Sequence, residues 1–302
     1  MRIAPYELLA GVALDLALGD PRWFPHPVRG FGWAAVQLER FWRATKLPLR
    51  WAGVCFAISS VGIACGLVWV TLPWLAIFWI WMLLALRDLD WEAALVWRAL
   101  ERGDIAEARE KLAMIVGRDT AHLEEPEILR AAIETVAENL SDAVIAPLLY
   151  LAIGGPIGMA AYKAINTLDS MVGYRDERYL EFGWASARAD DALNLMPARV
   201  TAVLVWVCSL ILGYDARQSR RITLRDASSQ PSPNAGYPEA AVAGALGIQL
   251  GGVNFYQGAR VDKPYLGDAL KPLDRQAFQS TRVLLYASSA LMLLVVLGVT
   301  LL

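Results

Sequence analysis

The 302-residue chain is expected to fold as an all-α, polytopic integral membrane protein with helical and loop-rich cytoplasmic segments, and three observations predict this. Hydrophobic residues make up 56% of it, with 12 Trp and a mean hydropathy of +0.38, more apolar than an ordinary soluble protein. From Trp51 to Leu86 no residue is charged, a run about twice the ~17 residues of a minimal span. From Val283 to Leu302 a second charge-free run closes the chain. The 19% of charged residues are grouped between such runs, which describes a membrane scaffold carrying polar segments. A net charge of -2 and a pI near 5.8 leave no basic footprint, which argues against a nucleic-acid partner.

The elements follow in order. An apolar stretch over about residues 4 to 18 ends at Gly19-Asp20-Pro21, a turn that stops a helix. Glu7 and Asp15 interrupt it, so it is read as a retained membrane helix and not a removable signal. Pro73 sits near the middle of the 51–86 run and predicts a helical hairpin. Residues 87–143 mix Leu95, Ala99, Leu112 and Ile115 with charges and break at Gly103-Asp104 and Gly117, which predicts a soluble helical insertion. Gly154-Gly155-Pro156 splits the apolar stretch 144–161, leaving both a re-entrant or broken helix and a straight crossing open. Residues 198–213 and 283–302 are further apolar runs. The polar stretch 214–282, with Pro231, Pro233, Pro238 and the Gly-rich segment Ala243 to Gly252, is expected to be loop-rich. No fixed-period repeat is present, so residues 1–302 are read as a single membrane-embedded catalytic unit. Cys55, Cys65 and Cys208 lie in apolar stretches without a CxxC pair and are read as small buried hydrophobes.

The densest chemistry lies in the run from Tyr162 to Tyr174. At helical spacing Lys163, Asn166 and Ser170 share one face with Asp169 on its flank, offering a point charge, an amide and a hard oxygen ligand beside an apolar segment. Such groups beside a bilayer are costly unless they bind something, and together they suit a phosphate and its Mg²⁺. Glu134, Glu138 and Asp142 recur at i, i+4 and i+8 as an acidic stripe whose mutual repulsion a divalent metal would relieve; a solvated helix face is the plainer reading. In Val116 to Thr120, Arg118 after Gly117 suits a phosphate, although a helix cap at Gly117 followed by a new N-cap explains the run as well. Arg188, Asp190 and Asp191, followed by Asn194 and Arg199, form a second polar cluster, with the two Asp as Mg²⁺ ligands or helix caps. His26 between two prolines reads as structural, and His122 as a surface residue. The Gly-rich segment either moulds around a large ligand or packs helices closely.

Taken together, Gly19-Asp20-Pro21, His26 to Arg29, Val116 to Thr120, Glu134 to Asn139, Tyr162 to Tyr174, Ala187 to Asp191, Ser232 to Gly236, Ala243 to Gly252 and Lys263 to Asp268 resemble, in order and spacing over about residues 8–282, the adenosylcobinamide-phosphate synthase family of the CobD/CbiB type. The resemblance implies a membrane enzyme of cobalamin biosynthesis. Its substrates would be a corrinoid, adenosylcobyric acid, and 1-aminopropan-2-ol O-phosphate or a close amino alcohol, joined by ATP- and Mg²⁺-dependent amide formation. It also implies a bacterial inner-membrane location with the site facing the cytoplasm, lipid contact, and neighbouring membrane enzymes of late cobalamin assembly as partners. On this reading Lys163, Asp169, Glu134 and Glu138 are catalytic. Arg118, Asn166, Arg188, Asn234 and Lys263 bind substrate, and Asp169, Glu134, Glu138, Asp142, Asp190 and Asp191 supply metal ligands. Where the family pattern has His two residues before the Ser-Pro-Asn run, this chain has Gln230, an amide that keeps hydrogen bonding and loses the titration.

No Walker-type glycine loop is present, so a nucleotide site would be built from Lys163, Arg118, Arg188 and the carboxylates. Two other classes compete. A metal-dependent membrane prenyltransferase would use Asn166 to Asp169 and Asp190-Asp191 on a diphosphate, but those Asp-rich motifs are incomplete. A non-catalytic membrane sensor would leave the acidic stripe and Lys163 without a task. Binding of a red corrinoid to purified protein separates both from the synthase.

Arg and Lys crowd residues 40–50, 87–130 and 217–225, which by the positive-inside tendency places these segments in the cytoplasm. Residues 162–197 adjoin the proposed site and are expected on the same side as 87–143, so cysteines introduced at positions 105 and 180 are expected to resist a membrane-impermeant thiol reagent added from the periplasm. Labelling there would reverse the topology.

Overall fold

The computed structural model describes residues 3–301. It is an all-α membrane protein with one small β-hairpin. Four helical stretches, Leu49–Glu101, Glu125–Val172, Trp184–Leu212 and Arg275–Leu301, are long and apolar enough to cross a membrane. On several of them large apolar side chains lie bare, among them Ile58, Trp69, Trp74, Leu210, Ile211 and Leu294, as lipid-facing surfaces require.

The chain forms two compact units. The first takes the chain up to Ala85, Ala146–Asn194 and the end from Leu293; the second takes Leu86–Ile145 and Leu195–Met292. Neither unit is a continuous piece of chain, so the insertion expected at 87–143 shares its unit with residues 195–292.

In the first unit, α1 (Pro5–Leu18) stops at Gly19, whose φ of 59° closes it, and Asp15 is fully buried. His26 caps α2 (Pro27–Arg43), its Nδ1 accepting the Val28 N–H at 3.2 Å while Nε2 lies 3.1 Å from Asp20. That is the structural role expected of it. α3 (Leu49–Leu83) contains Pro73 and leaves helical geometry at Leu75. The bend brings Trp79 Nε1 to 2.8 Å from Thr71 Oγ1, eight residues back, a separation a straight helix holds at ~12 Å along its axis.

α7 (Ala146–Val172) breaks at Gly155, φ 63° and ψ -162°, followed by Pro156. Gly158 then runs so close to the Tyr150 carbonyl that a Cβ would come within 2.6 Å of its oxygen. Tyr150 and Tyr162 stack at 5.1 Å. The two limbs therefore fold back on each other. Of the two alternatives left open by the glycines, the broken helix is the one formed. Around the second limb, Ala35, Ala52, Phe56, Ala57, Leu168, Val172 and Phe182 make an apolar core.

The second unit packs α4 (Leu86–Glu101), α5 (Ile105–Ala113) and α6 (Glu125–Asn139), the last running into a π-helical turn at Leu140–Ile145. Asp104 caps α5 where the Gly103-Asp104 break was expected. Asp90 ties this group to α11 (Arg275–Leu301) through Arg282 at 2.6 Å and the Tyr286 hydroxyl at 2.9 Å. The stretch 214–282 is more ordered than its Pro and Gly content suggests. It contains α9 (Ala216–Asp226), α10 (Gly236–Leu246) and an antiparallel hairpin of β1 (Leu250–Tyr256) and β2 (Ala259–Leu266). α10 is rich in Ala and Gly, and Gly244 lies against the backbone of Gln218 and Ser219 in α9. Here the Gly-rich segment serves close helix packing.

Gly158→Val is expected to cost about 1–3 kcal/mol, since its branched side chain must displace the Tyr150 carbonyl. Gly154, with open space around it, is expected to tolerate Ala. Thermal unfolding in detergent compares the two.

Candidate active site

In the first unit the second limb of α7 and the start of α8 (Trp184–Leu212) meet through a chain of polar side chains. Asp190 accepts from Asn166 Nδ2 at 3.3 Å on one oxygen and from Asn194 Nδ2 at 3.0 Å on the other. Asn194 Oδ1 in turn accepts from the Tyr162 hydroxyl at 2.9 Å. Tyr162 and Asn194 are buried, while Lys163, Asn166, Asp169 and Asp190 are half-buried. Helical spacing explains the set, because residues 162, 163, 166 and 169 recur at steps of three and four along one side of the limb. Lys163 lies near enough to Asp190 for the charges to act on each other, as do Asp169, Asp190 and Asp191. Gly173 makes room for Asp169, since a Cβ there would sit 2.1 Å from its Oδ1. Arg188 is exposed and pairs with Asp191 at 3.6 Å.

The second unit gathers another cluster. Glu134 is buried in α6; its Oε1 accepts the Gly251 N–H at 2.7 Å and its Oε2 accepts from Arg118. Arg118 also donates to Asn254 Oδ1 at 2.6 Å. One helical turn before Glu134, Arg130 donates to the Gly251 and Val253 carbonyls. Asp119 completes the clasp, its carboxylate accepting the N–H groups of Gln257 and Gly258 at 3.1 and 2.7 Å. Both turn residues have positive φ, 52° and 78°, as a type I′ hairpin turn requires. The Val116 to Thr120 run is therefore not a helix cap; it latches the hairpin to the helices.

Glu239 of α10, 6% exposed, lies in the field of Glu138 and Glu134 and of the cations Lys263 and Arg118. Burial, and then the two glutamates, hold its carboxyl well above the ordinary glutamate range. Glu138 itself is exposed and Asp142 half-buried within the π-helical turn. That turn takes more residues than an α-turn, so Asp142 leaves the straight stripe its spacing predicts. Lys263 is half-buried on β2 opposite Gly252. Asn234 is buried and accepts from Arg199 at 2.9 Å, while Arg199 also stacks over Tyr237 at 3.8 Å. Gln230 is buried with its amide 3.5 Å from the Pro264 carbonyl.

The predicted residues thus fall into two sets. Lys163, Asn166, Asp169, Asp190, Asp191 and Arg188 belong to the first unit, and Arg118, Glu134, Glu138, Asp142, Asn234 and Lys263 to the second. Sequence reasoning missed Arg130, Asn254 and above all Glu239, the only charged residue between Gly236 and Leu250. The rule that singled out Lys163, a lone charge in an apolar run, would have found it. Among the described residues no three His, Cys, Asp or Glu side chains stand close enough to form a metal site. The donors of the first unit still fit Mg²⁺, a hard cation that commonly takes one or two carboxylates and completes its shell with substrate phosphates. Glu134 fits less well, because its charge is already met by the buried Arg118 guanidinium.

A polytopic helical membrane protein with ionisable clusters buried against its apolar helices is the class that this fold and these sites define. The chain belongs to the CobD/CbiB protein family, whose model matches residues 8–285. Among its relatives, the cobalamin biosynthesis protein CobD of Geobacter metallireducens is 50% identical over 95% of this chain and 94% of its own length. The proteins of the same name from Pelobacter propionicus and Clostridium tetani are 47% and 42% identical, covering 95% and 96% of this chain and 93% and 95% of their own lengths. No solved structure matches the chain significantly.

Two outcomes check the second cluster. Glu134→Ala leaves the Arg118 guanidinium buried without its carboxylate and is expected to cost about 3–5 kcal/mol in thermal unfolding. Glu239 binds its proton more tightly folded than unfolded, so stability is full below the ordinary glutamate pKa of 4.5 and falls as pH rises from there through the folded value. Glu239→Gln is therefore expected to unfold like the wild type in acid and at higher temperature than the wild type as pH rises. A pH-independent difference would contradict this.

Proposed function

We propose that the chain is an adenosylcobinamide-phosphate synthase, joining a carboxylate of adenosylcobyric acid to the amine of 1-aminopropan-2-ol O-phosphate, or a close amino alcohol, at the expense of ATP. The observation that carries this reading is the family match over residues 8–285, together with near-full-length relatives named as cobalamin biosynthesis proteins.

The chemistry explains why a phosphate-binding cluster is wanted. A carboxylate is a poor acyl donor because its leaving group would be oxide. Transfer of a phosphoryl or adenylyl group from ATP to a carboxylate oxygen, with ADP or pyrophosphate leaving, removes that obstacle. The amine lone pair then attacks the acyl carbon, the C–O bond breaks with phosphate or AMP leaving, and a base takes the amine proton. Lys163 suits a phosphate as a point contact. Asp169, with Asp190 and Asp191, offers hard oxygens to a Mg²⁺ that would neutralise phosphate charge. Asn166 and Asn194 hold Asp190 in one orientation. Arg188 is assigned to an anionic group of a substrate at this cluster; in the second unit, taken by itself, Glu138, exposed on α6, is assigned a base and Lys263 an anion contact. Arg118, with Glu134 and Asn254 on its guanidinium, is a positioning residue. Asn234 shapes the loop that Arg199 grips, and Gln230 supports the Lys263-Pro264 segment without titrating. An inner-membrane enzyme open to the cytoplasm would have ATP at hand.

Lys163→Gln is expected to abolish ATP-dependent amide formation while leaving expression and membrane insertion intact. Near-normal turnover would make Lys163 an interfacial anchor reaching for lipid phosphates. In the same assay Asp169→Asn is expected to raise the Mg²⁺ concentration needed for half-maximal rate by tenfold or more, on the order of 1.4 kcal/mol. An unchanged Mg²⁺ dependence in a folded variant removes Asp169 from the metal shell.

A further inference from the structure

We infer that the crevice between the end of α8 and the start of α9 binds the headgroup of an anionic phospholipid. The inference rests on the membrane character of α8 and α11 and not on the proposed reaction. The crevice, of about 490 Å³, lies wholly in the second unit. Its apolar walls come from Leu210, Leu246 and Leu270, and its cations are Arg217 and Lys271. One membrane-length helix ends at Leu212 beside it, and another begins at Arg275, four residues after Lys271. Leu210 and Leu270 are 74% and 65% exposed, so the crevice opens onto apolar surface at the level where two candidate spans reach water.

α9 is an amphipathic basic helix laid directly after the span. Ser219, Ile222 and Thr223 are buried, whereas Arg217, Arg220, Arg221, Leu224 and Arg225 are exposed. Arg221 and Arg225 are committed to Asp268 and Asp226. Arg217 and Arg220 form no ion pair among the described residues. Asp215 also lines the crevice and caps α9 by accepting the Gln218 N–H at 2.9 Å, so two cations face one carboxylate there. A cationic rim beside apolar walls at a membrane boundary matches a phosphodiester carrying acyl chains. A free anion would have no use for the leucines.

The test is native mass spectrometry of the full-length protein in detergent, titrated with dioleoyl-phosphatidylglycerol or dioleoyl-phosphatidylcholine. Phosphatidylglycerol is expected to bind and phosphatidylcholine not to. The double variant Arg217→Gln/Lys271→Gln should weaken phosphatidylglycerol binding by about thirtyfold, two cations at about 1 kcal/mol each. Arg260→Gln, on the exposed hairpin, should leave it unchanged. Equal weakening by Arg260→Gln, a loss below about threefold in the double variant, equal binding of the zwitterionic lipid, or displacement by millimolar inorganic phosphate or Mg-ATP would each overturn the proposal. All the substituted side chains are at the surface, and an unchanged melting temperature verifies folding.

Discussion

An ionised carboxylate among apolar helices is stable when donors or a cation meet its oxygens; without them it holds a proton, as Glu239 does. Each unit of this protein is organised around one whose oxygens are met. Asp190 takes an amide on each oxygen, from Asn166 and Asn194, and thereby binds the second limb of α7 to α8. Glu134 takes a backbone N–H from Gly251 and the guanidinium of Arg118, and thereby fixes the hairpin to α6. Gly251 is suited to its part. Its φ of 81° lies where other residues are strained, and a Cβ there would sit 2.2 Å from the Pro264 carbonyl oxygen. The groups that look most reactive in the sequence thus include some whose first task is to hold the others.

Irregular backbone lies close to both clusters. α7 is broken at Gly155, seven residues before Tyr162, and α6 passes into a π-helical turn just after Glu138. Non-helical backbone within membrane-length stretches is stable only where protein or a water-filled cavity satisfies it. π-turns inside helices recur at functional sites for the same reason that they are rare elsewhere, since they trade hydrogen-bond geometry for a change in side-chain direction.

Local chemistry made much of this legible in the sequence. Gly19 after α1, Pro73 at the bend of α3, Gly155-Pro156 at the break of α7 and Asp104 before α5 each act through their own backbone preferences, and periodicity put Lys163, Asn166 and Asp169 on one limb. What stayed hidden depends on partners distant in the chain. The hairpin at Leu250–Leu266 is stabilised by Arg118, Asp119, Arg130 and Glu134, more than a hundred residues earlier. Glu134 and Asn254, the partners of Arg118, lie 16 and 136 residues away and give no signal in the run around it. Glu239 escaped notice because the small residues around it signal packing, and its significance lies in the charges it faces across space.

Amide formation on a corrinoid is the activity proposed for these clusters. The most direct measurement mixes purified protein, adenosylcobyric acid, 1-aminopropan-2-ol O-phosphate and Mg-ATP, and follows the corrinoid by mass. A synthase yields a corrinoid heavier by the amine less one water, formed only when ATP is present. An unchanged corrinoid mass with folded protein and all substrates present would contradict the proposed activity.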